Sequence, residues 1–227
     1  MTFDIDVIQR SLPYLWKGFQ YTVTLTLTAS VGGMFFGTLL ALARLSPARA
    51  LAWAAAAYVN LLRSIPLVLV LFWFFFLMPN VIQFFTGAER PPQIGPDRTA
   101  IITFIMFEAA YFCEIMRAGI QSIASGQVNS ALALGLTYGQ SMRLVVLPQA
   151  FRNMVPVLLT QTIILFQDTS LVYVISATDF LGAASKIAQR DGRLIEMYSF
   201  VAAVYLLLCL TLSTGVRRLQ TRIAVIR

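Results

Sequence analysis

Four ionisable side chains lie within long apolar stretches of the sequence: Arg63, Glu108, Glu114 and Asp168. A charge at the centre of a membrane-spanning helix costs at least about 2.5 kcal/mol on insertion scales, unless it is paired or faces a wet cavity. Each of the four is therefore a candidate for an ion pair or for the lining of a polar path through a membrane.

The spacing of the two glutamates indicates different partners. Glu114 and Arg117 are three residues apart, so they share one face of a helix, and we expect a structural ion pair. Glu108 lies six residues before Glu114, about 120° around a helix, and should contact a different neighbour.

A row of polar residues lies in a later apolar stretch. Gln161 and Asp168 are seven residues apart and fall on nearly the same helical face, with Thr160 and Gln167 in a parallel row. Such a row can line a translocation path. It can equally join helices through hydrogen bonds, which is the commoner use of these residue types in membranes.

The composition excludes several classes of protein. Of 227 residues, 58% are hydrophobic and 12% are charged, against about a quarter charged in soluble domains. There is no histidine, which excludes histidine-based proton relays and catalytic triads. Cys113 and Cys209 lie in apolar stretches without metal-like spacing, so we expect free buried thiols, no metal site and no cofactor. The net charge of +7 does not indicate a nucleic-acid partner, because the basic residues are spread between apolar stretches.

The apolar stretches predict an all-α, polytopic membrane protein. The first stretch has threonines at alternate positions, as a strand would, but a lone strand in lipid leaves its backbone groups unpaired, so a helix is predicted. In that helix, Ala29, Gly33, Gly37 and Ala41 form a smooth face for a neighbouring helix. We predict one transmembrane domain over residues 1–227 with about five spans: 18–44, 51–78, 99–117, 154–176 and 194–216.

The stretch 119–152 is too polar to lie in lipid and is predicted to be a loop between spans. If the spans cross in turn, the side of this loop holds nine basic and no acidic residues: Arg44, Arg49, Arg117, Arg143, Arg152, Arg217, Arg218, Arg222 and Arg227. The other side holds seven basic and seven acidic residues. Because basic residues favour the cytoplasmic side, we expect a periplasmic N-terminus and a cytoplasmic C-terminus.

The polar loop carries a spaced pattern. Asn129-Ser130-Ala131 is followed after three residues by Gly135, and after nine more by Val145, any residue and Leu147-Pro148. This pattern resembles the EAA loop of bacterial ABC importer permeases, with Asn129 in place of the usual acidic residue and Ser130 in place of the first alanine. The resemblance implies two short helices hinged at Gly135, which a separate ATPase grips through residues that include Gly126, Gln127, Asn129, Ser130, Ala131, Gly135, Leu147 and Pro148.

Other pieces are similar to the polar amino-acid branch of these permeases. They are Arg63-Ser64-Ile65-Pro66-Leu67, the segment 109–120, Leu147-Pro148-Gln149-Ala150 and Asp168-Thr169-Ser170-Leu171. Residues 63–69 and 165–173 are most similar to the glutamate/aspartate importer permeases, although Gln167 stands where many relatives have lysine.

The resemblance implies a Type I ABC importer permease, located in a bacterial inner membrane, that moves polar amino acids, here the acidic ones glutamate and aspartate, by alternating access. It implies four kinds of partner: a second permease subunit, identical or similar, two cytoplasmic ATPase subunits, a periplasmic solute-binding protein and the lipid bilayer. The chain has no Gly-x-x-x-x-Gly-Lys-Ser/Thr loop, so we expect ATP hydrolysis in another subunit and no enzymatic activity here.

The candidates for the substrate path are Arg63, Pro66, Gln161, Gln167, Asp168, Thr169 and Ser170. Arg63 lies three residues before a helix-breaking proline, and transporters expose backbone dipoles to substrates at such breaks. One interpretation is that Arg63 or the backbone near Pro66 contacts a substrate carboxylate. The other is that Arg63 caps the break or pairs with Asp168 or Glu108.

The main alternative function is an ion-coupled secondary transporter that uses Glu108, Glu114 and Asp168 as proton or sodium sites. It predicts internal pseudo-symmetry, which the sequence does not show.

Overall fold

A computed structural model describes residues 4–223 of the chain, and Arg227, counted above among the basic residues, lies outside them. The described residues form ten α-helices and no strands. The helices are α1 (Asp6–Arg44), α2 (Arg49–Arg63), α3 (Leu67–Phe72), α4 (Met78–Thr86), α5 (Pro96–Gln121), α6 (Ser125–Ala133), α7 (Tyr138–Ser141), α8 (Leu147–Asp168), α9 (Phe180–Asp191) and α10 (Leu194–Ile223).

Some of these helices join into longer rods. A π-helical turn at Trp73–Leu77 connects α3 to α4, and another at Met142–Val146 connects α7 to α8. A 3₁₀ turn, Thr169–Ile175, extends α8. Five rods within residues 4–223 are long and apolar enough to cross a membrane: Asp6–Arg44, Leu67–Thr86, Pro96–Gln121, Tyr138–Ile175 and Leu194–Ile223.

The second rod differs from the predicted span 51–78. The chain forms a separate helix, α2, up to Arg63 and starts again at Leu67, so the long apolar rod begins later and continues to Thr86. Pro66 has no backbone N–H to continue the ladder of α2, and its extended backbone (ψ 134°) precedes the new helix. The other four rods extend beyond the predicted spans at one or both ends, and Tyr138–Ile175 includes the second half of the predicted loop 119–152.

The longest helix, α1, packs closely along α5. The small residues Ala29, Gly33, Gly37 and Ala41 are all buried on α1. A Cβ atom at residue 33 would lie 2.8 Å from the Cβ atom of Glu108, so only glycine lets the two backbones approach to this distance. This close packing holds the middle of α5, with its glutamates, in a defined position.

Gly37→Ala should lower the thermal stability of the purified protein. A methyl group at residue 37 would lie 2.8 Å from the Cβ atom of Phe112 and 2.9 Å from the backbone nitrogen of Cys113. Backbone atoms of α5 cannot move aside as a side-chain tip can, and such overpacking costs about 1–3 kcal/mol. The melting temperature in detergent measures the effect, and Gly215→Ala on α10, where no atom lies within 4 Å, is the control. Equal melting temperatures for the two variants would contradict this packing.

A hydrophobic core joins α1, α3, α5 and the end of α8. Leu71 on α3 is fully buried and packs in one cluster with Phe104 on α5 and Leu165 on α8. This packing fixes α3, the helix that follows the interruption at Pro66, against the core.

The short helix α9 is fastened to α1 through its first turn. Asp179 is fully buried and accepts hydrogen bonds from the backbone N–H groups of Gly182 (2.8 Å) and Leu181 (3.1 Å). The backbone N–H of Phe180 donates to the hydroxyl of Thr22 on α1 (3.0 Å). Burial raises the pKa of Asp179 from 3.8 to about 6, and the two backbone donors oppose this rise more weakly.

The raised pKa of Asp179 predicts a loss of stability as the pH rises. The stabilisation of the fold by this carboxyl group is complete below pH 3.8, the pKa of the group in the unfolded chain. It is lost as the pH rises through about 6, the pKa in the folded protein. The Asp179→Asn variant has no ionisable group at this position. The difference between its melting temperature and that of the unmodified protein should therefore become more positive between pH 4 and pH 7. Asp6→Asn, at an exposed position, is the control and should show no such trend. A pH-independent difference for Asp179→Asn would contradict the assignment.

Candidate translocation cleft and coupling segment

A cleft of about 720 Å³ opens between α5, α8 and the last turn of α10. It is the most polar of the larger cavities among residues 4–223. The polar residues that line it are Arg63, Tyr111, Glu114, Ser122, Arg152, Asn153, Thr160, Gln161 and Gln220.

One carboxylate in the cleft wall is shared by three guanidinium groups. Arg44, the last residue of α1, lies 2.5 Å from Glu114, and Arg117 also contacts Glu114 one turn along α5. Arg63 approaches the same carboxylate to 4.0 Å. Glu114 therefore joins the ends of α1, α2 and α5, and the positive charge around it exceeds its own negative charge.

The structure gives Arg63 a neighbour that the sequence did not indicate. Its guanidinium lies over the ring of Tyr111, 5.3 Å from the centroid, and near Glu114. No ion pair of Arg63 with Asp168 or Glu108 occurs within residues 4–223. Arg63 is exposed in this chain and faces the cleft, so it remains able to contact a substrate.

Glu108 contacts α8 rather than the Glu114 cluster. Its carboxylate is buried, with 1% exposure, and both oxygens accept from the Nε2 group of Gln161, at 3.1 and 3.3 Å. Gln161 in turn lines the cleft. The two residues connect the interior of α5 to the cleft wall.

The cleft brings together only some of the predicted path residues. Arg63 and Gln161 line it. The others lie outside its lining: Pro66, Gln167, Asp168, Thr169 and Ser170. Thr169 is buried and donates its hydroxyl proton to the Phe166 carbonyl oxygen (2.7 Å). Both polar rows on α8 are thus divided: Thr160 and Gln161 line the cleft, whereas Gln167 and Asp168 lie at the end of the helix.

Sequence reasoning missed Arg152 and Asn153 as cleft residues. Arg152 was placed at the end of the polar loop 119–152 and Asn153 between that loop and the span 154–176, whereas the structure has both on the first turns of α8. The signal was present, because Asn153, Val157, Thr160 and Ile164 recur at helical spacing with Gln161 and mark one face.

The polar loop folds as two short helices around Gly135. At the end of α6 the N–H of Gly135 donates to the Leu132 carbonyl oxygen (3.0 Å), and the N–H of Leu136 donates to that of Ala131 (3.1 Å). This closing pattern requires a left-handed residue, and Gly135 has φ +87°. Thr137 and Gln140 then cap α7 through reciprocal hydrogen bonds of 2.8 and 3.3 Å. Local hydrogen bonds therefore define the bend.

The hinged segment, residues 125–151, exposes large apolar side chains among polar ones. The exposed large apolar residues are Leu132, Leu134, Tyr138, Leu144, Leu147 and Phe151, with Leu134 84% exposed. Among the residues that were predicted to contact an ATPase, seven are exposed: Gly126, Gln127, Asn129, Ser130, Gly135, Leu147 and Pro148. Ala131 is buried, and it supports the bend from inside.

Together, a multi-spanning helical fold, a polar cleft and a protruding hinged segment define the class of membrane transport permeases. Residues 33–225 match the family of binding-protein-dependent transport system inner membrane components, and the chain belongs to that family. It is an amino-acid permease of the ABC importer class.

Curated relatives match over nearly their whole length. The glutamate/aspartate import permease protein GltK of Escherichia coli O6:H1 is 52% identical over 222 residues, covering 98% of this chain and 99% of the relative. The probable glutamine ABC transporter permease protein GlnM of Bacillus subtilis (strain 168) is 32% identical, covering 97% and 98%. The comparisons give no support to an ion-coupled secondary transporter.

Solved structures share the fold. The crystal structure of an amino acid ABC transporter with histidines matches with a TM-score of 0.89 and 29% identity, covering 98% of this chain and all of that one. An inward-facing MetNI methionine ABC transporter matches with a TM-score of 0.73 at 20% identity, which shows the fold alone. The predicted all-α Type I permease fold is thereby confirmed.

Proposed function

We propose that this chain translocates acidic amino acids through the cleft described above, as one permease subunit of a bacterial ABC importer. The observation that carries the proposal is the charge of the cleft. Arg63 and Arg152 line it, and the one carboxylate that lines it among residues 4–223, that of Glu114, is already engaged by Arg44 and Arg117. The cleft therefore has an excess of positive charge, which attracts an anionic substrate.

The comparison with named relatives supports the same substrate class. The relative at 52% identity is named for import of glutamate and aspartate. An amino acid with two carboxylates and one ammonium group carries a net negative charge, which matches the two guanidinium groups of the lining. Arg63 approaches Glu114 only to 4.0 Å, and Arg152 forms no ion pair within residues 4–223.

The energy for transport comes, in this proposal, from two ATPase subunits on the cytoplasmic side. The hinged segment offers them exposed apolar side chains at Leu134 and Tyr138. Its second half belongs to the rod Tyr138–Ile175, which also bears Gln161. A displacement of the segment by the ATPases would therefore move the cleft wall. A second permease subunit would close the open side of the cleft, and a periplasmic binding protein would deliver the substrate.

The proposal assigns the membrane orientation as well. The hinged segment and the C-terminus lie in the cytoplasm, and the N-terminus lies in the periplasm. This places Arg143, Arg152, Arg217, Arg218 and Arg222 on the cytoplasmic side, where basic residues are favoured.

Competition for uptake tests the substrate class. In proteoliposomes with the assembled importer and ATP, unlabelled L-glutamate and L-aspartate should suppress uptake of labelled L-glutamate, and L-glutamine and L-arginine should not. Arg63→Ala and Arg152→Ala should each reduce uptake about tenfold, the effect of losing one charged hydrogen bond. Arg10→Ala, an exposed arginine outside the cleft, is the control. Near-normal uptake by both cleft variants, or stronger competition by glutamine, would refute the proposal.

A further inference from the structure

Glu108 is a buried carboxylate that neither the ion-pair cluster nor the coupling segment uses. It lies in the interior of α5 against Gly33, and its side chain is 1% exposed. Within residues 4–223 no arginine or lysine lies within 4.0 Å of its oxygens. A buried carboxylate without a cation is unfavourable in a membrane, where a leucine of similar size would pack without that penalty.

The partner of Glu108 is the amide group of Gln161. The Nε2 atom donates to both carboxylate oxygens, at 3.1 and 3.3 Å. An amide has two donors on nitrogen and an acceptor on oxygen, so binding the nitrogen fixes where the oxygen points. The described residues offer no hydrogen bond to the Oε1 atom of Gln161, which is on a residue that lines the cleft.

The cleft then offers both cationic hydrogen-bond donors and a neutral acceptor. Arg63 and Arg152 present donors to carboxylates, and the carbonyl oxygen of Gln161 presents an acceptor. A zwitterionic amino acid has an ammonium group that needs such an acceptor. A simple dicarboxylate of the same length has no ammonium group and does not need this acceptor.

We propose that Glu108 is a positioning residue that holds the Gln161 amide so that its Oε1 atom accepts a hydrogen bond from the substrate ammonium group. Glu108 does not touch the substrate itself. The inference rests on the proposed amino-acid substrate, and it adds how the cleft distinguishes an amino acid from other small anions.

Direct binding to the detergent-solubilised permease–ATPase complex, without binding protein, tests this. L-glutamate and glutarate differ by the ammonium group alone. The unmodified complex should bind L-glutamate about tenfold more tightly than glutarate. Glu108→Leu should weaken L-glutamate binding about tenfold and leave glutarate binding unchanged, the effect expected from one lost charged hydrogen bond.

Two more variants separate positioning from packing. Glu108→Gln keeps an acceptor for the Nε2 group and should retain most of the preference for L-glutamate. Gln161→Leu removes the acceptor directly and should abolish the preference even if Glu108→Leu fails to assemble. A purely structural role would weaken both ligands equally in Glu108→Leu, and that result would overturn the inference. So would equal affinity of the unmodified complex for the two ligands.

If the proposal of an acidic substrate is wrong, a different result is expected. The unmodified complex would then bind L-glutamine more tightly than L-glutamate. The same variants, tested with L-glutamine and its analogue without the amino group, would show the loss of preference if Glu108 positions Gln161, and no loss if it does not.

Discussion

Glu114→Ala should produce the largest loss of stability of any single substitution in the cleft. It leaves the guanidinium groups of Arg44, Arg117 and Arg63 close together without their shared carboxylate. Removing one partner of a buried ion pair costs about 3–5 kcal/mol, because the remaining charges lose their compensation. The side chain of Glu114 is 23% exposed, so we expect the lower end of this range. We expect a strong drop in melting temperature and in the yield of folded protein.

The size of this loss should depend on the arginines. In the double variant Glu114→Ala/Arg117→Ala, the loss should be smaller than the sum of the two single losses, because one uncompensated charge is removed as well. Glu89→Ala, an exposed glutamate between α4 and α5, is the control and should be nearly neutral. A normal melting temperature for Glu114→Ala, or additive losses in the double variant, would show that Glu114 does not join these helices.

Leu134→Asp should abolish transport while leaving the folded permease intact. Leu134 is 84% exposed at the tip of the hinged segment and makes few contacts with its own chain, so the substitution costs the fold little. In the proposed complex the same side chain enters an apolar interface, where an unpaired carboxylate costs several kcal/mol, about a hundredfold or more in affinity.

Co-purification and uptake measure the two parts of that expectation. The ATPase subunits should no longer co-purify with Leu134→Asp, and uptake should fall to background, while the melting temperature of the permease alone stays unchanged. Leu45→Asp, at an exposed leucine between α1 and α2, is the matched control. Retention of the ATPase by Leu134→Asp would exclude this surface as the docking site.

Features that depend on local chemistry were predictable from the sequence. The small residues every four positions on α1 indicated a packing face, because a helix brings such positions to one side, and the structure has Gly33 and Gly37 against α5. The interruption near Pro66 was predictable because proline removes a backbone donor. The bend at Gly135 was implied by the resemblance of the loop, and its physical basis is a glycine that adopts a φ of +87° at the end of α6.

Features that depend on which helices become neighbours were not predictable. Arg63 contacts Glu114 and Tyr111 rather than Asp168, and no spacing along the chain encodes that choice. The helices also extend beyond the predicted spans, because a helix satisfies its own backbone groups in water as it does in lipid. For this reason Arg152 lies on α8 and in the cleft, although its sequence neighbourhood is polar.

Uptake of labelled L-glutamate into proteoliposomes tests the central claim most directly. The vesicles contain this permease with its ATPase subunits, the binding protein is added outside, and ATP is enclosed or omitted. The account predicts that uptake requires enclosed ATP and persists when ionophores collapse the ion gradients. Uptake that proceeds without ATP and stops with the ionophores would contradict it.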